Sequence, residues 1–347
     1  MARGHDGRGV VSLRAPLPSD AGPRLARALD DAWQALGDDD GVPRALWDAA
    51  LIEPLAEFTR RPGKELRAIL CEVGWALGDG DGPLPDAVPL VVDALHAGSL
   101  IIDDIEDRAV ERRGAPALHL LHGDATALNA GNWLYFWALA QIGEIGGSAE
   151  RQLAMHRRVI ATLVSCHEGQ ALDLRARVDR LETARLAPVC AAITRGKTAC
   201  LAALAMELGA LAAGATVECA TEIGALGAAV GTALQMLDDL GSLGVERRNK
   251  GHEDLRARRV TWPWAWLPDI THPLAVARLQ ARIRGAVTDD ELDELADDLR
   301  GLVLATGRRR IRATIEEGLA RAQAAHGDRA ALRGVAAMVA RMEESYG

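Results

Sequence analysis

The chain has 347 residues, a formal net charge of −9 and 49% hydrophobic residues. This length allows two domains or one large one with a sizeable core. An acidic balance without any basic tract excludes nucleic acid as an expected partner. Because no Pro/Gly/Ser-rich linker divides the chain and alternating β-branched runs are nearly absent, we predict a single all-α domain over residues 21–347.

The N-terminal arm, residues 1–20, mixes Gly, Pro and Arg, and we expect it to be disordered. It has no apolar core of the kind that a signal peptide needs. After this arm, apolar periodicity predicts eleven helices. Their bounds are near 21–36, 44–58, 64–78, 86–107, 117–141, 149–178, 182–213, 217–243, 273–286, 289–305 and 308–345.

The most apolar region, residues 201–237, is interrupted by Glu207, Glu218 and Glu222, so it predicts buried helices and no transmembrane segment. The cysteines have no metal-ligand spacing, which favours a reduced, cytoplasmic protein. They are Cys71, Cys166, Cys190, Cys200 and Cys219.

The most informative segment ends the predicted helix 86–107 and reads Asp103-Asp104-Ile105-Glu106-Asp107. On a helix, Asp103 and Asp107 lie on one face. Stacked carboxylates repel each other unless a hard cation bridges them, and Mg²⁺ prefers a few carboxylates together with waters and substrate phosphates. His96 lies two helical turns earlier on nearly the same face.

Basic residues flank these acids, with Lys64 and Arg67 before them and Arg112 and Arg113 after them. Arg and Lys bind phosphate oxygens, so metal-holding acids beside these bases predict a diphosphate site. The chain has three lysines, all in segments of this kind: Lys64, Lys197 and Lys250.

Three later segments place polar residues inside predicted helices: Gly169-Gln170-Ala171-Leu172-Asp173, Lys197-Thr198-Ala199 and Gln235-Met236-Leu237-Asp238-Asp239. Gln170 and Asp173 suit either the predicted site or a hydrogen bond within one helix.

In order and spacing, these segments resemble those of the trans-isoprenyl diphosphate synthases, over a range from about Arg61 to Pro263. The resemblance implies an isoprenoid synthase-type helical bundle around a central cavity, which acts as a homodimer. It also implies an enzyme that condenses isopentenyl diphosphate with an allylic diphosphate to give a longer trans-prenyl diphosphate.

The resemblance further implies a role for each residue. Three Mg²⁺ ions, which Mn²⁺ can replace, would be held by Asp103, Asp107 and Asp238. Asp104 and Asp239 would support these ligands. The allylic diphosphate would be bound by Arg112, Lys197 and Lys250. The isopentenyl diphosphate would be bound by Lys64, Arg67, His96 and Arg113. Thr198 and Gln235 would steer an allylic cation.

One departure from the family suggests an alternative function. The second acidic motif reads Asp238-Asp239-Leu240-Gly241-Ser242, with Ser in place of a final Asp. Asp238, Ser242 and Glu246 match the metal triad of class I terpene cyclases, and on one continuous helix they would share a face. A cyclase on the same fold is therefore the rival interpretation.

Chain elongation is favoured because a cyclase needs no isopentenyl site, and all four residues of that site are present. A non-catalytic subunit of a heteromeric prenyl synthase is a weaker alternative, since the first acidic motif is intact. The small residues Gly98 and Ser99 would leave a product tunnel open, which favours a product of C20 or longer. Trp133 or Trp137 could close the tunnel lower down.

A second DDxxD segment, Asp289-Asp290-Glu291-Leu292-Asp293, has the same spacing. Here Thr288 and Glu291 predict a capping box, and acids in a first helical turn suit the helix dipole. We therefore predict that this copy is structural.

Overall fold

The computed structural model describes residues 21–34, 41–62, 66–286 and 288–345. Within them the chain forms sixteen α-helices and one antiparallel hairpin, β1 (Glu111–Arg112) and β2 (Ala115–Pro116). The predicted all-α fold is confirmed. Both the arm 1–20 and Lys64 lie outside the described residues.

The helices are α1 Ala21–Gln34, α2 Arg44–Trp47, α3 Glu53–Thr59, α4 Leu66–Leu77, α5 Ala87–Asp107, α6 Leu118–His122, α7 Asp124–Gln141, α8 Ala149–Arg175, α9 Leu186–Thr194, α10 Cys200–Ala213, α11 Val217–Gly241, α12 Arg248–Arg256, α13 Trp262–Ile270, α14 Pro273–Gly285, α15 Asp289–His326 and α16 Ala330–Ser345.

Helix α10 lies at the centre of the core. Apart from the buried Glu207 it is apolar on all sides, and it packs against α4, α8 and α11, while α11 packs in turn against α15. By length and composition alone, Thr183–Ala213 and Val217–Gly241 could cross a membrane, and 61% and 50% of their most apolar windows are buried inside the fold. The predicted region 201–237 thus consists of helices packed against other helices.

Glycines bring α4 and α10 into direct backbone contact. A Cβ atom on Gly74 would lie 2.0 Å from the Met206 carbonyl oxygen, and one on Gly209 would lie 2.1 Å from that of Cys71. Any side chain at these positions would push the two helices apart. This contact sets the depth at which α4, which carries Arg67, sits against the core.

Several helix predictions were wrong between residues 244 and 345. The sequence interpretation missed α12 and α13, because α12 is polar and α13 contains Pro263 in its first turn and Pro268 inside it. It also broke α15 near Gly307, which is instead an interior glycine against the Trp266 ring. The left-handed Gly327 (φ 75°) follows the true end of α15.

The ends of two helices position the acidic motifs. Helix α5 ends at Asp107 because Arg108 adopts a left-handed conformation with φ 55°. Helix α11 ends at Gly241, three residues after Asp238. Both motifs therefore occupy the last turn of a helix.

We predict that Gly209→Ala destabilises the protein by roughly 2–4 kcal/mol, because the added methyl group collides with backbone. The matched control is Gly301→Ala at an exposed position of α15, where a Cβ meets nothing within 4 Å and where the change should stabilise by about 0.5–1 kcal/mol. Urea unfolding measures both. Equal effects from the two substitutions would contradict the close contact.

Candidate active site

The first acidic motif lies at the C-terminal end of α5, where negative charge is unfavourable. Peptide dipoles concentrate negative charge at a helix C-terminus, and the motif adds carboxylates there. The Asp104 side chain points inward and is 1% exposed, whereas those of Asp103 and Asp107 are 17% and 19% exposed. The motif thus separates into one buried acid and two accessible ones, and all of them need cationic partners.

Lys197 neutralises Asp103. Its Nζ lies 2.8 Å from Asp103 Oδ1 and 2.8 Å from Asp173 Oδ2. Gln170 Nε2 donates to Asp103 Oδ1 and to Glu106 Oε2, both at 2.8 Å. Burial alone would raise the pKa of Asp103, but the charge and hydrogen bond of Lys197 lower it. Gln170 and Asp173 therefore belong to the site and do not bond within their own helix.

A π-helical turn, Arg195–Ala199, presents Lys197 to these acids. It can approach α8 closely because Gly169 and Gly196 face each other, and a Cβ on Gly169 would lie 2.7 Å from Gly196 backbone. The Gly-Gln-x-x-Asp and Lys-Thr-Ala segments are thus joined at their glycines.

Arg259 is the second cation of this cluster. Its guanidinium lies 2.5 Å from Asp107, 3.2 Å from Asp173 and 3.6 Å from Asp254. Burial opposes its charge, but the bond to Asp107 and the neighbouring acids raise its pKa. The guanidinium therefore holds the end of α5 against the segment after α12.

The β1–β2 hairpin delivers Arg112 and Arg113. Arg112 Nε donates to Asp104 Oδ1 at 2.8 Å, and its second nitrogen also bonds that carboxylate. Arg61 supports the hairpin by donating to the carbonyl oxygens of Arg112 and Pro116 at 3.1 and 2.9 Å. Arg113 is at the turn with φ 54°, a left-handed conformation that sends its side chain away from Arg112.

In the second motif, Asp238 is the accessible acid, with its side chain 25% exposed. Arg247 lies 2.7 Å from its Oδ1, and Lys250 forms a close ion pair with its Oδ2. Arg247 lies just before α12 and Lys250 lies within it. The segment around α12, which the sequence did not predict to be helical, therefore neutralises Asp238.

Asp239, by contrast, is buried and 6% exposed. It accepts hydrogen bonds from Gln235 Nε2 at 2.7 Å and from the Trp262 amide at 2.9 Å. Thr198 Oγ1 donates to Gln235 Oε1 at 2.7 Å, which extends this chain of bonds to the π turn. Burial raises the pKa of Asp239 to about 7. Thr198 and Gln235, for which the sequence predicted a common role, are therefore in direct contact.

The two motifs share one electrostatic environment. Burial lowers the pKa of Lys250 beside Asp238, and Arg112, Arg259 and Lys197 from the first cluster lower it further. Cations bound to one motif thus repel a cation bound to the other. An anion placed between them would relieve this repulsion.

A separate group of basic side chains contains Arg67, His96 and Arg113. Burial lowers the pKa of Arg67 to about 10, Asp93 opposes this shift, and Arg113 adds a smaller repulsion. The Arg67 Nε atom is buried without a hydrogen-bond partner. Burial and three nearby arginines hold the pKa of His96 well below its usual value. Among the described residues no ion pair joins Arg67 or Arg113 to a carboxylate, although Asp93 attracts both, and the group suits a bound anion.

Sequence reasoning assigned no role to five supporting residues, Asp93, Arg61, Arg247, Asp254 and Arg259, although Asp254 and Arg259 lie in the last segment that resembles the family. A signal existed for Asp93, since it lies one turn before His96 on the same helix. Arg61 and Arg259 depend on contacts between distant segments, and Arg247 and Asp254 depend on how the chain folds back after α11.

The structure contradicts the helix assumed for the cyclase-like triad. Helix α11 ends at Gly241, and Glu246 is an exposed residue in a separate short turn, Val245–Arg247. Ser242 is buried, and its hydroxyl donates to the Asp239 carbonyl oxygen at 2.8 Å. These residues therefore do not continue one helical face.

The second DDxxD copy begins α15, as its capping box predicted: Thr288 Oγ1 accepts from the Glu291 amide, and Glu291 Oε2 accepts from the Thr288 amide at 3.0 Å. Asp293 accepts from His252 at 2.7 Å, and Asp289 pairs with Arg256. This copy therefore anchors α12 to α15.

The acids of the two helix ends have the chemistry that magnesium prefers. Asp103, Asp107 and Asp238 offer accessible carboxylate oxygens, while Asp104 and Asp239 are buried beneath them. Among the residues that the structure describes, no three acidic, thiol or imidazole groups form a closed metal cage. Mg²⁺ does not need one, because waters and substrate phosphates complete its coordination.

Comparison with known proteins identifies the family. The family model for polyprenyl synthetase matches residues 48–297. A probable farnesyl diphosphate synthase of Sinorhizobium fredii is 30% identical over 255 residues, which cover 68% of this chain and 75% of the relative. A nonaprenyl diphosphate synthase of Mycobacterium tuberculosis is 29% identical over 251 residues, 70% of this chain and 71% of the relative.

The fold is also that of a solved enzyme. The crystal structure of a decaprenyl diphosphate synthase from Rhodobacter capsulatus superposes with a TM-score of 0.74 at 23% identity, covering 94% of this chain and 99% of the other. The family model and the relatives identify the protein as a trans-prenyltransferase. The chain belongs to the polyprenyl synthetase family, whose members act on isopentenyl diphosphate and an allylic diphosphate.

We predict that His96 makes stability depend on pH. Its folded pKa lies well below 6.5, so the unfolded chain binds more protons below that value, and stability is lost as the pH falls. From about pH 7 to about pH 5 this contribution should lower the free energy of unfolding by up to about 1.4 kcal/mol per pH unit. Urea unfolding of His96→Gln should show a correspondingly flatter profile. Parallel profiles for the two proteins would argue against a neutral His96.

Proposed function

We propose that this protein condenses isopentenyl diphosphate with an allylic diphosphate in a reaction that requires Mg²⁺, and releases a trans-prenyl diphosphate of C20 or longer. We also propose that it works in the cytoplasm. The described cysteines are free thiols, which suits a reducing compartment.

The main support for this proposal is that the cations of the site fall into two groups. Arg112, Lys197 and Lys250 are each paired with an acid of the two motifs. Arg67 and Arg113 instead lie beside a neutral His96 and repel each other. Two anion sites of different character suit two different diphosphates, one bound with metal and one bound without it.

When bound, Mg²⁺ neutralises the leaving diphosphate and acts as a Lewis acid. The residues Asp103, Asp107 and Asp238 would hold the ions. Because each paired cation already lies next to these acids, it can exchange a carboxylate for a phosphate oxygen over a short distance. Arg112, Lys197 and Lys250 would thus bind the allylic diphosphate, and no side-chain nucleophile is needed.

The second group would hold the isopentenyl diphosphate through Arg67, His96, Arg113 and, by family resemblance, Lys64. The isopentenyl double bond then attacks the allylic cation, and a proton is lost to the released diphosphate. Thr198 and Gln235 would orient the cation through their hydroxyl and amide oxygens, which are fixed by their mutual hydrogen bond.

Product length rests on fewer residues than the sequence suggested. Gly98 is small for a packing reason, because a Cβ there would lie 2.7 Å from the Gly131 carbonyl oxygen. Ser99, half-buried and bonded to the His96 carbonyl oxygen at 2.9 Å, remains as the small residue above a tunnel. The stacked rings of Trp133 and Trp137 would form its lower boundary.

We propose a homodimer as the working form. Helices α7 and α8 expose large apolar side chains, including Phe136 at 72%, Ile160 at 51% and Val164 at 55% exposure. The two helices are neighbours, with Tyr135 and His167 in edge-to-face contact. A second copy that covers these side chains would remove them from water.

We expect Asp103→Ala to abolish condensation, because it removes an accessible metal ligand. It also removes one of the two carboxylates that pair with Lys197. The matched control is Asp289→Ala in the capping copy, which should change turnover little. The measurement is product formation from both substrates at saturating Mg²⁺. Equal losses would mean that the wrong copy was assigned to the metal.

A second pair of substitutions separates elongation from cyclisation. Arg67→Gln should cut kcat/KM for isopentenyl diphosphate by roughly 10- to 100-fold, since a charge-assisted contact contributes about 1.5–3 kcal/mol. Ser242→Ala should have little effect, because this hydroxyl bonds a backbone carbonyl.

Mass spectrometry should identify the products, with and without isopentenyl diphosphate. A cyclic hydrocarbon or alcohol from the allylic diphosphate alone, together with a severe Ser242→Ala defect, would instead support a cyclase. A protein inactive with either substrate set would support the non-catalytic subunit.

Sedimentation tests the dimer. Ile160→Glu should convert the protein to a monomer, because it places a charge within the exposed apolar surface of α8. Leu274→Glu on α14, where the leucine is 65% exposed, should leave the dimer intact. A monomeric wild-type protein would refute the assembly.

A further inference from the structure

Two thiols meet directly beside the active site. Cys166 Sγ on α8 lies 3.3 Å from Cys200 Sγ at the first residue of α10. Both side chains are half-buried. Cys166 lies one turn before Gln170, and Cys200 follows the π turn that carries Lys197. The thiol pair thus joins the same two elements that Lys197 and Asp173 join.

The backbones around this pair are already in contact. A Cβ on Gly196 would lie 2.8 Å from the Gly169 Cα atom, so α8 and the π turn cannot come closer there. A disulfide requires the sulfur atoms to approach to about 2.05 Å. Since the sulfurs start at 3.3 Å, small side-chain rotations are the main movement that is needed.

The surroundings make one sulfur the better nucleophile. The hydrogen bond from Cys166 lowers the pKa of Cys200 against the effect of burial, and backbone amides and Arg158 lower it further. The same hydrogen bond and burial raise the pKa of Cys166. Cys200 therefore supplies the thiolate, which is the reactive form, and Cys166 is the resolving thiol.

We propose that Cys166 and Cys200 form an oxidation site that a peroxide converts into a disulfide between α8 and the π turn. The Cys200 thiolate attacks one peroxide oxygen, which breaks the O–O bond and gives a sulfenic acid and hydroxide. The Cys166 sulfur then attacks the Cys200 sulfur and displaces the sulfenic hydroxyl group as water. The thiols lose two electrons, and hydrogen peroxide is reduced to two waters.

The disulfide would restrain Lys197. In the thiol form, Cys200 donates to the Gly196 carbonyl oxygen at 2.7 Å inside the π turn. The disulfide removes that bond and ties the turn to α8, where Asp173 already holds Lys197. Lys197 then exchanges Asp173 for a diphosphate less readily. This consequence rests on the proposed function, whereas formation of the disulfide does not.

The test treats the full-length protein with stoichiometric hydrogen peroxide. Intact mass should fall by two hydrogen atoms, and a tryptic peptide should contain Cys166 cross-linked to Cys200. Cys166→Ser and Cys200→Ser should prevent this, while Cys219→Ser, at a half-buried cysteine on α11, should behave as wild type. We expect oxidation to lower kcat/KM for the allylic diphosphate about threefold or more, and dithiothreitol to restore it.

Absence of the cross-link, or a cross-link through Cys219 or between two chains, would overturn the site. A complete disulfide with unchanged kinetics would overturn the restraint on Lys197. If the reduced protein shows no prenyl transfer, the proposed function fails, and the mass measurement still decides whether the disulfide forms.

Discussion

The structure of the site depends on carboxylates that are placed at the wrong ends of their helices. Asp103, Asp104 and Asp107 close α5, and Asp238 closes α11, so each adds negative charge where the peptide dipoles already point their negative end. Such an arrangement is stable only with cations nearby. The π turn, the hairpin and α12 each supply one, through Lys197, Arg112 and Lys250.

This requirement explains irregular elements that helix propensity alone does not. The π turn advances Lys197 toward α5, and paired glycines let it lie against α8. The left-handed Arg113 in the hairpin separates two adjacent arginines, so that Arg112 reaches Asp104 while Arg113 lies over the Phe58 ring, 5.5 Å from its centroid. Local backbone exceptions of this kind concentrate where charges must be placed.

The two DDxxD copies show that position in a helix decides what a motif can do. At the start of α15, Asp289 and Asp290 are stabilised by the helix dipole and by the capping box, and they need no metal. At the end of α5 the same spacing places carboxylates where they are stable only beside a positive charge. A metal ion that also binds a diphosphate can supply this charge in place of a side chain.

The sequence by itself determined the helical class, the family and most of the charged residues of the site. This was possible because apolar periodicity and short motifs are local properties that the chain order preserves. The structural nature of the second DDxxD copy also followed from the sequence, whereas the hydrogen bond between Thr198 and Gln235 did not.

Only the tertiary structure decided how these charges are matched. Arg259 joins the site through its ion pair with Asp107, which lies far away in the chain. Arg247 and Asp254 pair with Asp238 and Arg259, which are near them in sequence but lie on different elements. Ser242 turned out to be buried because α11 ends one residue earlier, and α12 is helical despite its polar sequence because it docks on α15. Helix ends and ion-pair partners depend on what lies across the fold, and a linear pattern does not carry that information.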